Sequence, residues 1–401
     1  MQIPPPTSLS DIITDGFLAQ TGIDRAFATR LGKIRGVEFN LVSGAEHTPT
    51  AQVRINRAQG EPFDTTGTVV AWINGEEFTW AGEQGAGFNI PELHGTQPLS
   101  DELIRAARTL HGNAPAFIAP FGKRGQALVV LNDPHLPTDI RTDLVEGLAL
   151  LPSHADAHRA LSSYAAFRGL GIQRNPSYTA LSNGTAVTFR QDRPVEVTGG
   201  LTLRDVRADS AFSSAEHQLL FDALSPTRQV SYNPQAGTAV IEGQLEVSAL
   251  PLATIDGGVW RWAWADTRVR GQGSGGLRQF GVDNGLLPLV SPTLPVAQAN
   301  QLDLTAVAKP VLQLWTHATV DTGEGFQTVL LINHPRLHLP PASHAAIEAT
   351  LHTRLDQELD ARRAVAAYAT QRQVPFDGSR ITVDNRQITM EFRGNQIGSI
   401  S

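Results

Sequence analysis

The segment QALVVLNDPHL at residues 126–136 recurs as QTVLLINHPRL at residues 327–337. Gln, Asn, Pro and Leu recur at identical spacing, and apolar residues match between them. Three more pairs keep the same order along the chain: FTWA with WRWA, HRALSSYAAF with RRAVAAYATQ, and AVTFRQ with ITMEFRG. A kept order of separate segments is the signature of a tandem duplication. The sequence therefore predicts two copies of one domain, at residues 1–200 and 206–401.

The sequence of the second copy predicts, in chain order, a helix, three strands, helices, two strands, a helix and a terminal hairpin. Its first helix is SSAEHQLLFDAL, in which Ser213 and Glu216 have the spacing of a capping box. The three strands are RQVSY, TAVIEGQLEVSAL and VWRWAWA, and prolines interrupt the helical pattern that follows. In the first copy, the later helical stretch is divided at Pro152, with Ser153 as the new cap.

This order of elements predicts an α+β fold in which each copy has its own antiparallel sheet and core. The same order occurs in the small secretion-chaperone-like fold. That similarity rests on element order alone, so it implies nothing about function.

The aromatic run GGVWRWAWADTRV places Trp260, Trp262 and Trp264 at alternate positions, which in a strand share one face. The aligned run of the first copy, GEEFTWAGE, alternates aromatic with charged or polar residues, so its aromatic face is the buried one. The sequence therefore predicts that Trp260, Trp262 and the aligned Trp80 lie in a core. Trp264 aligns with a glycine, which leaves both burial and partial exposure open for this indole.

WRWAWAD also resembles the W-x-W-A-W-A-N signature of an actinobacterial family of domains of unknown function. As in that family, a helical segment and a later apolar strand follow the signature, here in residues 277–333. The chain departs from the signature with Asp266 in the place of Asn, and in the first copy with Gly82 and Gln84. The family has no established activity, so the resemblance implies a fold group and an actinobacterial origin and leaves the function open.

Composition argues against several classes of partner. The net charge of −7 argues against nucleic acid and anionic membranes. The chain has no cysteine, which excludes disulfides and thiol chemistry. No apolar stretch approaches the roughly 20 residues of a membrane span, and the first residues lack the basic and apolar regions of a signal peptide. We therefore expect a cytoplasmic protein that binds neither nucleic acid nor membranes.

Motifs that suggest a cofactor or a metal each have a simpler structural interpretation. GQGSGG at 271–276 matches a dinucleotide fingerprint, but neither a parallel β-α-β unit nor a suitably placed acidic residue accompanies it, so a flexible connection is predicted. His334, His338 and His344 lie close in sequence, but prolines prevent a regular helix through the first two. The sequence thus predicts no cofactor, no metal site and no catalytic residue.

Two functions stay open. The first is a non-enzymatic module that binds another protein, as a chaperone, adaptor or immunity-type factor, either as a monomer with internal pseudo-symmetry or as a dimer. The alternative is a small-molecule-binding or enzymatic domain with a pocket in the second copy only. In both, the candidate binding residues are Trp264, Asp266, Arg268 and Arg270, because an indole beside paired charges is a common binding composition.

Overall fold

A computed structural model describes residues 3–42, 49–83, 85–120, 125–132, 136, 138–269, 274–323 and 325–401. The chain divides into two compact units, Met1–Thr198 and Gly199–Ser401. Each unit combines antiparallel sheets with helices, so the fold is α+β with a repeated sheet-and-helix unit, as predicted. No helix among the described residues is long and apolar enough to cross a membrane.

The first unit opens with a long helix that Ser8 caps, since its hydroxyl accepts a hydrogen bond from the backbone N–H of Asp11. Strands of the main sheet follow, then two helices and a smaller sheet. The elements in chain order are α1 (Leu9–Leu31), β1 (Ile34–Val42), β2 (Thr50–Arg57), β3 (Phe63–Asn74), β4 (Glu77–Trp80), β5 (Thr96–Pro98), α2 (Asp101–Leu110), β6 (Ala116–Pro120), β7 (Gln126–Leu131), α3 (Ile140–Leu150), α4 (Ala157–Phe167), β8 (Ile172–Arg174), β9 (Tyr178–Leu181), β10 (Ala186–Arg190) and β11 (Arg193–Val197).

The second unit repeats this order and adds short helices in the middle. Its elements are α5 (Leu203–Leu224), β12 (Val230–Asn233), β13 (Thr238–Ile241), β14 (Leu245–Asp256), β15 (Val259–Trp262), α6 (Gly275–Asn284), α7 (Leu287–Val290), β16 (Thr293–Pro295), α8 (Val296–Gln301), α9 (Leu304–Leu312), β17 (Thr316–Asp321), β18 (Gln327–Asn333), α10 (His344–Leu351), α11 (Ala361–Gln371), β19 (Arg380–Val383), β20 (Arg386–Arg393) and β21 (Gln396–Ile400). The terminal hairpin predicted from sequence is β19–β20.

The main sheet of each unit is built around one long strand, β3 or β14. β3 pairs with β2 near its start, with β4 near its end, and with β7. β14 pairs in the same way with β13, β15 and β18. The β3–β7 register shifts between Val69 and Ala71, and the β14–β18 register shifts between Pro251 and Ala253. A bulge is a specific feature of a strand pair, so the matching shifts independently support the repeat.

The smaller sheets carry a second matched irregularity. The register of β10–β11 shifts between Thr188 and Phe189, and that of β20–β21 shifts between Glu391 and Phe392. The two phenylalanines are the residues that the sequence repeat aligns. The repeat therefore extends beyond the main sheets to the last strands of each unit.

Three local predictions are corrected. The second unit's first helix begins at Leu203, where Thr202 and Asp205 form the capping box; Ser213 is buried inside the helix. The predicted strand TAVIEGQLEVSAL is the hairpin β13–β14, because Glu242 at φ +50° starts a tight turn. In the first unit, Asp156 rather than Ser153 caps α4, and its carboxylate accepts two backbone N–H groups.

The tryptophans show how the units differ. Trp260 and Trp262 are buried in the second unit's core, as predicted, and the Trp262 indole donates a 2.8 Å hydrogen bond to the Pro288 carbonyl. Trp80 is only partly buried, so the prediction of equal burial is wrong there. In the first unit the described residues between β4 and β5 form no α-helix. In the second unit, α6, α7 and the connection between them supply apolar side chains to the core that contains Trp262, namely Leu277, Leu286 and Leu289.

Candidate functional site

The residues predicted as a binding site lie on the connection that follows β15. The strand ends at Trp262, and Trp264 lies in the 3-10 turn Ala263–Ala265, so the third indole does not continue the strand face. Trp264 is partly buried against the second unit's core, and the Arg278 guanidinium lies 5.8 Å from the centre of its ring. Arg270 lies outside the described residues.

Asp266 and Arg268 form a closed network of hydrogen bonds. The buried Asp266 carboxylate accepts from the Thr254 hydroxyl at 2.6 Å and from Arg268 Nη2 at 2.8 Å. Arg268 also donates to Asp256 at 2.9 Å and lies 4.5 Å from the centre of the Phe326 ring. Burial raises the pKa of Asp266, but the hydrogen bonds from Arg268 and Thr254 outweigh it and hold that pKa at about 2. These contacts anchor the connection, and whether the group also binds a partner stays a prediction.

A cavity of about 650 Å³ lies elsewhere in the second unit. Ligand sites typically have volumes of roughly 300–1,000 Å³. Neither this cavity nor a smaller one of about 340 Å³ beside β21 is lined by Trp264, Asp266 or Arg268. The lining comes from helix α5, the connection between α9 and β17, strands β17 and β18, the segment after β18, and the end of α11 with the residues directly after it. It includes Ser213, His217, Trp315, His338, Pro340, Gln371 and Arg372.

An imidazole and an indole form one wall of this cavity. The rings of His217 and Trp315 are stacked, with centroids 6.0 Å apart and planes at 17°. His217 Nδ1 lies 3.2 Å from the Leu337 carbonyl, which requires the proton on that nitrogen. Burial, together with the positive charges of Lys309 and Arg372, lowers the pKa of His217 to about 4. The imidazole is therefore neutral at pH 7.

Arg372, directly after α11, is the charged side chain of the wall. Its side chain is 7% exposed, its Nη1 donates to the Pro340 carbonyl at 3.0 Å, and its Nε lies 3.3 Å from Glu216 Oε2. The same carboxylate oxygen accepts from the Tyr368 hydroxyl at 2.8 Å. Arg372 Nη2 has no hydrogen-bond partner among the described residues. Arg372 thus lines the cavity and also has a buried donor without a partner.

A second buried cation lies on α9. Lys309 is 2% exposed, and its Nζ donates to the Ser214 hydroxyl at 2.5 Å. Within the described part of the chain, Lys309 forms no ion pair with a carboxylate. Burial lowers the pKa of Lys309 to about 8, against the opposing charge of Asp303. The amine is therefore mostly protonated at pH 7.

The first unit holds the aligned tyrosine and arginine in a closed arrangement. Tyr164 and Arg168, on and directly after α4, donate to the same oxygen of Asp143 at 2.8 and 2.7 Å. Arg168 Nε also donates to the Tyr164 hydroxyl at 3.2 Å. The Asp143 side chain is fully buried on α3 and accepts from Arg25 through its other oxygen at 2.6 Å. The carboxylate that accepts the hydrogen bond from the tyrosine hydroxyl thus lies on α3 in the first unit and on α5 in the second.

The histidines singled out by sequence do not meet as a metal centre. His334 caps a 3-10 turn, His338 Nε2 lies 3.0 Å from the Asn333 side-chain oxygen, and His344 lies 3.6 Å from Glu348. The described residues contain no group of three or more His, Cys, Asp or Glu that could hold a metal. The glycines at 271 and 273 lie outside the described residues.

His217, Trp315 and Arg372 are not among the residues that the sequence predicts for the site. One available signal is the arginine four positions after the tyrosine in both copies, Arg168 after Tyr164 and Arg372 after Tyr368. Spacing alone does not show that Arg168 donates to the tyrosine and its carboxylate, whereas Arg372 has a donor without a partner. That difference appears only when the helices are packed together.

Fold and site define an α+β protein with a ligand-sized cavity in its second unit. The model of a family of unknown function (DUF6882) matches residues 204–335. The matched segment runs from the first turn of α5 through the main sheet, so the second unit contains a domain of unknown function; it includes His217 and Trp315 but not Arg372. Neither a curated protein nor a solved structure matches the chain.

Proposed function

We propose that this protein is a non-enzymatic binding protein whose second unit receives a ligand in the cavity beside His217 and Trp315. The observation that carries the proposal is the cavity of about 650 Å³ with its stacked ring wall. Pro340 and Pro341 add further apolar surface to the lining, and Arg372 adds a charged group. Apolar walls with a few placed polar groups are typical of ligand sites.

The hydrogen bonds of the cavity's reactive groups favour binding over catalysis. The Ser213 hydroxyl donates to the side-chain oxygen of Gln371, and His217 is bonded to a backbone carbonyl. His338 is bonded to Asn333. Nucleophilic catalysis requires the nucleophile and its base to contact each other, and these groups are engaged elsewhere.

The proposal connects the two functions that the sequence leaves open. A ligand of this size is either a free small molecule or the terminal residues of a protein partner. The first unit, whose tyrosine–arginine pair is closed by Asp143, serves in this proposal as the structural counterpart. We propose a cytoplasmic site of action for the whole chain.

The experiment is fluorine NMR on protein labelled with fluorotryptophan. The six tryptophans give six resonances, and Trp315→Phe identifies the one at the cavity. A fragment library and native mass spectrometry of the purified protein then search for ligands. We expect ligands to shift the Trp315 resonance and to leave that of Trp72, in the first unit, unchanged. A protein that carries no bound molecule and whose Trp315 resonance no fragment shifts would overturn the proposal.

A further inference from the structure

Building on the proposed function, we infer that the ligand of the second-unit cavity carries a carboxylate, and that Arg372 binds this carboxylate. The charges that surround equivalent helices differ between the two units.

Two arginines of the first unit, the buried Arg108 and the partly buried Arg168, each pair with a carboxylate. Arg108 forms a two-bond ion pair with Asp24, at 2.6 and 3.0 Å. Arg168 pairs with Asp143 at 2.7 Å. Because a buried charge without a counter-charge is costly, these pairs account for the presence of both arginines.

Matching ion pairs fix how the opening helices of the two units align. Asp15 of α1 pairs with Arg159 of α4 at 2.6 Å, and Asp209 of α5 pairs with Arg363 of α11 at 2.6 Å. The arginines are equivalent in the sequence repeat, so the aspartates are equivalent as well. This register places Gln218 at the position of Asp24, which pairs with Arg108 in the first unit.

Helices α2 and α9 align by their C-terminal backbone bonds. The N–H of Asn113 bonds to the carbonyl of Arg108, and the N–H of Leu314 bonds to the carbonyl of Lys309. Lys309 thus stands at the position of Arg108. In the second unit, the pair formed by arginine and aspartate has become lysine and glutamine.

Of the two cations Lys309 and Arg372, only Arg372 has an ion pair with a carboxylate among the described residues of the second unit. Glu216 is the carboxylate beside Arg372, and Lys309 has a serine hydroxyl instead. The side-chain oxygen of Gln218 is buried and has no hydrogen-bond partner among the described residues. Among the described residues, Lys309 thus forms no ion pair, and Asp303 acts on it through charge alone.

Arg372 is the member of this group that lines the cavity. Guanidinium groups bind carboxylates through paired N–H donors, and Arg372 Nη2 is unused. The charge of Lys309 also reaches the cavity wall, since it contributes to the low pKa of His217. A carboxylate beside Arg372 gains from both cations, whereas a neutral group of the same shape does not.

Two sources of carboxylate fit this chemistry, a free organic acid and the C-terminus of a peptide. Benzoate against benzamide tests the first, and Ala-Ala-Phe with a free or an amidated C-terminus tests the second. Binding is followed by the Trp315 fluorine resonance. We expect each acid to bind at least about tenfold more tightly than its amide, a factor that corresponds to about 1.4 kcal/mol. The tighter of the two acids identifies the source.

Variants test the assignment to Arg372. Arg372→Gln should weaken binding of the acid at least about tenfold, and the matched Arg168→Gln in the first unit should leave it unchanged. Gln218→Asp restores the missing carboxylate without touching Arg372, so it should weaken acid binding and raise the melting temperature. It also covers the case in which Arg372→Gln does not fold.

Amides that bind as tightly as their acids would overturn the inference and leave the proposed function intact. Unchanged affinity for the acids in both Arg372→Gln and Gln218→Asp would overturn the inference as well. If neither the acids nor the amides nor any fragment shifts the Trp315 resonance, the proposed function itself fails.

Discussion

Gly22 and Asp143 fit together so closely that a Cβ on Gly22 would lie 2.4 Å from the Asp143 carboxyl carbon. Glycine on α1 therefore makes room for a carboxylate that reaches across from α3. In the register fixed by the matching ion pairs, Glu216 of α5 stands where the first unit has Gly22. The equivalent tyrosines, Tyr164 and Tyr368, thus donate to carboxylates that lie on different helices.

Gly22→Ala is expected to destabilise the protein. An alanine inside a helix normally stabilises by about 1 kcal/mol relative to glycine, but overpacking against the buried Asp143 costs about 1–3 kcal/mol. Urea unfolding measures the difference. Gly276→Ala is the control, because a Cβ there meets no atom within 4 Å. A Gly22→Ala variant as stable as this control would show that the helices separate easily.

The Asp143 carboxylate is expected to be a strong determinant of first-unit stability. Asp143→Ala leaves the Tyr164 hydroxyl and the guanidinium of Arg168 without their shared acceptor. Removing one partner of a buried ion pair costs about 3–5 kcal/mol. Asp64→Ala serves as the comparison, because its ion pair with Arg54 is exposed and exposed pairs contribute little to stability. Equal melting temperatures for the two variants would contradict the prediction.

Repeat matching predicts most of the architecture because it compares positions that must pack in the same way. The alignment of FTWA with WRWA places Trp262 in the core, where the structure has it. The same reasoning is wrong for Trp80, because burial depends on what covers a face, and α6 and α7 occur in the second unit. Alternation also fails at Trp264, where the strand gives way to a 3-10 turn.

The residues around the cavity are harder to predict, because the two units place the carboxylate for the equivalent tyrosine on different helices. A glycine on α1 and an aspartate on α3 in one unit correspond to a glutamate on α5 in the other. Pattern analysis treats each helix face separately, so it predicts that Glu216 is a capping residue. Only the packing shows that both carboxylates receive a buried tyrosine hydroxyl.

Lys309→Met is expected to stabilise the protein at pH 7. Burial lowers the pKa of Lys309 to about 8 from an ordinary value near 10.5, which corresponds to an order of 3 kcal/mol of cost for the charged form. Since the folded pKa is the lower one, wild-type stability should rise with pH between about 8 and 10.5. Unfolding at several pH values should show this slope reduced in the variant.

Arg108→Met is the matched control for the buried lysine, because Arg108 has its partner Asp24. This variant should lower stability, opposite in sign to Lys309→Met. Destabilisation of similar size by both substitutions would mean that Lys309 is as well compensated as Arg108, which would also remove the charge argument for an acidic ligand.

Acid should destabilise the second unit through two histidines. Burial, together with the charge of Lys309, lowers the pKa of His217 and of His317 to about 4. Because the unfolded value is near 6.5, the stabilising contribution is complete above pH 6.5 and is lost as pH falls toward 4, by at most about 1.4 kcal/mol per pH unit for each histidine. The raised pKa of Glu216, caused by burial, opposes this trend. Urea unfolding of His217→Gln/His317→Gln should show a shallower pH dependence than wild type.

The second unit has two candidate binding surfaces, and a pair of variants distinguishes between them. Trp264→Ala/Arg268→Ala removes the group predicted from sequence, while Arg372→Gln alters the cavity. Because Arg268 donates to the buried Asp266 carboxylate, the double variant should be less stable than wild type. If the double variant does not fold, Trp264→Phe is measured in its place.

Benzoate binding, followed by the Trp315 fluorine resonance, distinguishes the two surfaces. The cavity is lined by Arg372 and Trp315 and by neither Trp264 nor Arg268. We therefore expect the folded double variant to bind benzoate as wild type does, while Arg372→Gln binds it at least about tenfold more weakly. The reverse pattern would place the binding surface at the end of the WRWAWAD stretch and reduce the cavity to a packing defect.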